Sequence, residues 1–186
     1  MLFAAAVTRL RLRTPMLAAA GGAILALAVP ATAAAKPPCT GAYANPNIVS
    51  IAQSQHATLC LLNKQRRAHG LRKLHENPRL DLASVRHAQD MARNNYFEHG
   101  NYVGRIRSTA YLSGARSWTV GENIAWGSAD LATPASIVVA WMHSPGHRAN
   151  ILDRQFREIG IGIARGAPVG GEQNGATYAT DFGARG

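Results

Sequence analysis

The stretch from Glu158 to Ala164 reads Glu-Ile-Gly-Ile-Gly-Ile-Ala, large apolar residues alternating with small ones. A period of two marks a β-strand, here with one packed isoleucine face. Glycines on the alternate positions suggest that another backbone lies close against the strand. A second strand is expected over 176–183, with Tyr178, Thr180 and Phe182 on one face, and the Gly-rich residues 167–175 read as a flexible hairpin loop. Upstream the main repeating signal is helical. Helices first and strands last predict an α+β layered domain.

The first helix is expected over about residues 51–69. Ala52, Leu59, Leu62 and Ala68 approximate an apolar stripe, Lys64, Arg66 and Arg67 suit the C-terminal end of the helix dipole, and Gly70 is a natural stop. Asn77-Pro78 is a cap followed by proline at the first helical position, opening a second helix to about residue 95. Leu80, Ala83, Ala88, Met91 and Ala92 would face the core, and His87 among them reads as a hydrogen-bonded histidine at a packing surface. Residues 96–120 read as loop with one short helix near 103–112. Thr133-Pro134 opens a further helix to about His143. Its middle, Ile137 to Met142, is apolar nearly all round and is expected to be buried on several sides. Ser144 offers an N-cap oxygen and Pro145 fits the first position of a new turn, which places His147 just past a core helix. Trp141 reads as core, whereas Trp118 and Trp126 flank Glu122 in expected loops, where they line a cleft or pack.

The first 35 residues read as a secretory signal: Arg9, Arg11 and Arg13, an apolar run from Met16 to Val29, then Pro30 and a small-residue cleavage region. The run falls short of the ~20 residues a bilayer needs. The mature chain is therefore expected to carry no transmembrane segment and to be secreted, extracellular or cell-wall associated. Without residues 1–35 the chain holds 17 basic and 10 acidic residues, a formal charge of +7. That balance suits an anionic cell-wall polymer or membrane surface as partner. No arginine-rich run or aromatic-basic interleaving points to nucleic acid. Cys39 and Cys60, an isolated pair in an exported chain, are expected to form a disulfide. A catalytic thiol is disfavoured, because Cys60 lies among leucines on an apolar helix.

Three titratable residues sit in distinctive settings: His99 after Tyr96-Phe97-Glu98, Glu122 within Gly121-Glu122-Asn123, and His147 after Ser144-Pro145-Gly146. Each is placed at an element end or in a loop, where sites are usually built. Two imidazoles and a carboxylate can bind a divalent cation such as zinc with positions left for water. Without metal, the same set can hold a water for general-base work. His143 and His147 are four residues apart, but Pro145 falls between them and Ser144 stands where a zincin needs glutamate. No Gly-x-Ser-x-Gly elbow is present.

Taken in order, Phe97-x-His99, Gly121-Glu122-Asn123, Trp141-Met142-x-Ser144-Pro145-Gly146-His147-Arg148-x-Asn150-Ile151-Leu152, Ile159-Gly160-Ile161-Gly162 and Thr180-Asp181-Phe182-Gly183 resemble the bacterial CAP (SCP) superfamily of cysteine-rich secretory, antigen 5 and pathogenesis-related proteins. The resemblance covers about residues 56–184. With the signal (1–35) and a Pro-, Gly- and Asn-rich extended leader (36–50) read from composition, one CAP domain is expected over 51–186. The resemblance implies a three-layer α-β-α sandwich with a small, mostly antiparallel sheet, and a cleft lined by two histidines and two acids. His99, Glu122 and His147 match three of these, with Asn123 beside them. The second acid has no match, since no Asp or Glu lies between His99 and Glu122.

Members of this superfamily are linked to lipid binding, divalent-cation binding, protease activity and extracellular partners. The expectation is a secreted, non-catalytic binding module whose His/Glu cleft holds a divalent cation or small ligand. The alternative is an extracellular metal-assisted hydrolase acting on peptide or cell-wall material, with Glu122 as base and His99 and His147 on the water or metal. A third reading makes the cleft residues a polar network that only stabilises the fold.

Overall fold

The computed structural model describes residues 39–186. The expected signal peptide lies outside these residues, as does the first part of the leader. Helices α1 (Ile51–Ala68), α2 (Pro78–Asn94), α3 (Tyr102–Ser108), α4 (Pro134–His143) and α5 (Pro145–Leu152) accompany strands β1 (His75–Glu76), β2 (Trp118–Ser128), β3 (Glu158–Arg165) and β4 (Gly175–Arg185). The strands form one sheet in the order β1-β3-β4-β2, with only the β1–β3 pair parallel. The expected α-β-α sandwich with a mostly antiparallel sheet is present.

The alternation in β3 sets the layers. Ile159, Ile161 and Ile163 lie opposite Phe182, Thr180 and Tyr178 of β4. They share the largest core cluster with Leu62 of α1, Trp141 of α4 and Ile151 of α5. On the other face, a Cβ at Gly160 would fall inside the backbone of Leu80 and Asp81, and one at Gly162 inside that of Ser84 and Val85. Helix α2 therefore lies directly on the glycine face of β3, as the alternation suggests. Asn77 caps α2 by accepting from the Arg79 N–H, and Thr133 caps α4 by accepting from the Ser136 N–H.

Several expectations are corrected. Residues 118–128, read as loop, form an 11-residue strand paired with β4 along its whole length. Its glycines answer close approaches instead of turns: a Cβ at Gly121 would come within 3.0 Å of Phe156, and one at Gly127 would strike the Leu131 backbone. The buried face of α1 runs through Ser54, Ala57, Thr58, Leu62, Asn63 and Arg66, while Ala52 and Ala68 are exposed. Polar residues on that face find hydrogen-bond partners, as with Asn63, which exchanges two hydrogen bonds with the Leu74 backbone. Helix α4 is not buried all round, since Val139 is 54 % exposed. Ser144 stands at the start of α5 but makes no side-chain cap, so Pro145 alone shapes that entry. The short third helix ends at Ser108.

Cys39 and Cys60 form the expected disulfide across a separation of 21 residues. Replacing both by alanine is expected to lower stability by ~3 kcal/mol in the chain-entropy account. Urea denaturation checks this, and a loss below ~1 kcal/mol would show that the leader's other contacts hold it unaided.

Candidate functional site

The site is built on β2, which stands at the sheet edge. Glu122 lies near the middle of the strand and is buried to 5 % exposure. Its Oε1 accepts from His99 Nδ1 at 2.8 Å, and its Oε2 accepts from Arg105 of α3 at 2.6 Å. A carboxylate can only accept, so the His99 proton at this contact sits on Nδ1. Nε2 is the nitrogen left for a ligand, on a side chain 48 % exposed. This is the arrangement by which a carboxylate orients a working imidazole.

Asn123, the next residue, is buried in the sheet. Its Nδ2 donates to the His147 carbonyl at 3.0 Å. Asn150 Nδ2 donates to both Asn123 Oδ1 and the Glu122 carbonyl. These amides fasten the first turn of α5 to β2 and so position His147. Burial lowers the His147 pKa, and the neighbouring His99 lowers it further, which favours a neutral imidazole. The structure thus brings His99 and Glu122 into contact and His147 near His99. No hydrogen bond joins the His147 ring to either among the described residues.

Three site residues escape the sequence reading. Asp181 of β4 stands directly opposite Glu122 in register, fully buried. Its Oδ2 accepts from Ser84 Oγ at 2.7 Å, and its N–H donates to the same oxygen at 3.1 Å. Asp181 Oδ1 has no ordinary donor, yet this carboxyl lies within hydrogen-bonding reach of Glu122. These facts agree if the partner is a second carboxyl, because one of the two must then carry the proton. Burial first, and then the charge of Glu122, raise the Asp181 pKa to about 8. Asp181 is therefore a buried acid behind Glu122, held toward its protonated form, and the second cleft acid that the resemblance implies still has no match. Only the register of β4 on β2 reveals it.

Arg105 is the second missed residue. The third is His87, which is indeed a buried histidine on α2 but also belongs to the site: its Nε2 is 3.8 Å from Glu122 Oε2 and donates to the Glu98 carbonyl at 3.0 Å. Burial lowers its pKa, with Glu122 opposing. Its Nδ1 is buried without a hydrogen-bond partner. Trp141 is core, its Nε1 donating to the Ile124 carbonyl, while Trp118 and Trp126 lie on β2.

A divalent cation at His99, Glu122 and His147 fits this arrangement poorly. Both Glu122 oxygens are occupied, one by a guanidinium whose positive charge opposes a second cation. Among the described residues no three His, Cys, Asp or Glu side chains are grouped to hold a metal ion.

Fold and site together define an α-β-α domain with a His–Glu pair on its edge strand, the class of the SCP domains. A model of the cysteine-rich secretory protein family, CAP, matches residues 59–179, and the chain belongs to that family. YkwD of Bacillus subtilis is 34 % identical over 125 residues, covering 67 % of this chain and 48 % of YkwD. The membrane protein YlbC of the same organism is 34 % identical over 114 residues, 60 % of this chain and 32 % of YlbC. The chain thus spans less than half the length of either relative. Among solved structures, an extracellular SCP-domain protein of Bacillus anthracis matches at 25 % identity and TM-score 0.54, covering 72 % of this chain and 43 % of that one. An outer surface protein of Borrelia burgdorferi matches in fold at 19 % identity and TM-score 0.55, covering 67 % and 87 %. No helix among the described residues is long and apolar enough to cross a membrane.

Proposed function

We propose that the protein is a secreted, non-catalytic binding module whose cleft takes a small polar ligand between His99 and His147. The observation that carries this reading is the engagement of Glu122. A general base needs a free lone pair within reach of a water. The Glu122 side chain is instead fully buried between His99 and Arg105, out of reach of a water, so it acts as an anchor. His99 Nε2 and the neutral-leaning His147 are the groups left to meet a ligand's polar atoms. The partly exposed loop bearing His99 gives access. A divalent cation could enter only if Arg105 released Oε2. Secretion fits the disulfide and the signal-like residues 1–35, and it fits the extracellular and surface proteins that share the fold.

The test compares the protein with its Glu122→Gln variant on peptide and cell-wall substrates, with and without zinc. No turnover that depends on Glu122 is expected. Hydrolysis by the parent protein that falls about a hundredfold or more in Glu122→Gln, the loss typical of a general base, would establish the hydrolase reading instead.

A further inference from the structure

We propose that a pocket between the α1–β1 connection and the α5–β3 connection binds a phosphate group carried on a soluble anionic polymer. The site lies apart from the His99–Glu122 cleft and does not depend on the function proposed for it. It is a cavity of about 260 Å³ lined by Arg66, Gly70, Leu71, Arg72, Arg154 and Arg157, with no acidic residue in its lining.

The walls are held rigidly by one side chain. Arg66 is fully buried. Its Nε donates to the Arg72 carbonyl, its Nη1 to the Ile151 and Asp153 carbonyls, and its Nη2 to the Phe156 carbonyl. One guanidinium thus stitches the segment bearing Arg72 to the segment bearing Arg154 and Arg157. Arg157 is itself folded over its own loop, with Nη1 donating to the Arg154, Gln155 and Phe156 carbonyls. Such fixing lowers the ordering cost of binding.

The charge of this pocket is not balanced from within. Carbonyl dipoles satisfy Arg66 but supply no counter-charge. Burial depresses the Arg66 pKa, the positive charge of Arg157 depresses it further, and Asp153, outside the lining, opposes. The Arg72 and Arg154 guanidiniums are exposed and have no partner among the described residues. Several guanidiniums around one concavity repel one another until an anion enters, and their planar forks match phosphate oxygens bidentately.

The neighbouring surface points to a polymer and away from a bilayer. None of the large exposed apolar residues lines this pocket, and Trp118 is the single one in the cavity beside it, so the surface lacks the cluster of apolar side chains a membrane wedge needs. An adjoining cavity of about 390 Å³ shares Arg157 and presents Ser117, Thr119, Gln155 and the half-exposed Trp118. Hydroxyls, an amide and an indole face suit a sugar or polyol beside the phosphate.

The overall positive charge attracts any polyanion, so the test holds charge constant. Calorimetric titration of the full chain with polyglycerol phosphate, at fixed ionic strength, compares Arg72→Ala/Arg154→Ala with Arg86→Ala/Arg107→Ala. The second pair removes equal charge from exposed positions on α2 and α3. The first pair is expected to weaken binding about tenfold or more through lost charge-assisted contacts. The second pair should stay within about twofold, as expected for screened surface charge. His99→Ala should leave binding unchanged. Equal weakening by both pairs overturns the site. Equal affinity for inorganic phosphate and polymer, per phosphate, or tighter binding to phosphatidylglycerol vesicles with the loss confined to the first pair, overturns the polymer as its source.

Discussion

Gly162→Ala is expected to destabilise the protein by at least the ~3 kcal/mol at the upper end of overpacking costs. The sign is opposite to the usual one, because alanine in a regular strand normally restricts the unfolded chain and helps. Here the added methyl would meet the Ser84 carbonyl and the Val85 nitrogen, both backbone atoms of α2. A side chain could rotate away, but a helix backbone cannot, and α2 would have to lift from β3 and β4 together. That movement would also pull Ser84 from Asp181. Gly170→Ala is the control, since nothing lies within 4 Å of a Cβ there. Thermal and urea denaturation of both variants decide the matter. If Gly162→Ala melts with Gly170→Ala, the direct contact of α2 with the sheet is wrong.

Arg66→Met is the second large effect, expected to cost roughly 3–5 kcal/mol, because buried carbonyls left without a donor cost ~1–3 kcal/mol each and relaxation recovers part of that. Methionine fills much of the volume but returns no hydrogen bond to the Arg72, Ile151, Asp153 and Phe156 carbonyls. Arg66→Lys keeps the charge and separates it from geometry. A compact ammonium cannot span the same fork, so lysine should recover less than half of the loss. Arg67→Met, exposed one residue along, should stay within ~0.5 kcal/mol of the parent. Full recovery by lysine would show that charge alone matters at this position.

What could be read from the chain beforehand follows the range of the interactions involved. The caps at Asn77 and Thr133 and the Ile-Gly alternation of β3 are local, and all were legible. The disulfide was legible because two cysteines leave one pairing. Strand β2 was not, because its glycines look like turns until β4, about fifty residues later, is laid beside it. Arg66 looked like an ordinary cation at a helix end because its acceptors lie up to 90 residues away. His99, Glu122 and His147 were found by motif, and their neighbours were not. Asp181 becomes a partner of Glu122 only through strand register, and Arg105 only through the packing of α3.

The leader offers a last consequence. Asn45 donates to the carbonyls of Ala129 and Asn174, and Asn47 to that of Gly175. Arg165 reaches back to the carbonyls of Pro46 and Val49, and the Ala135 N–H donates to that of Ala42. Beyond the turns they form among themselves, residues near the start of the domain thus find these acceptors and donors in its second half. Order of synthesis and order of docking are opposed: the leader is made first and can seat only after the β3–β4 hairpin exists. Contacts of such long sequence separation are slow to form. The Cys39–Cys60 link needs only the leader and α1, so it can hold this early segment in reserve until its late partners arrive.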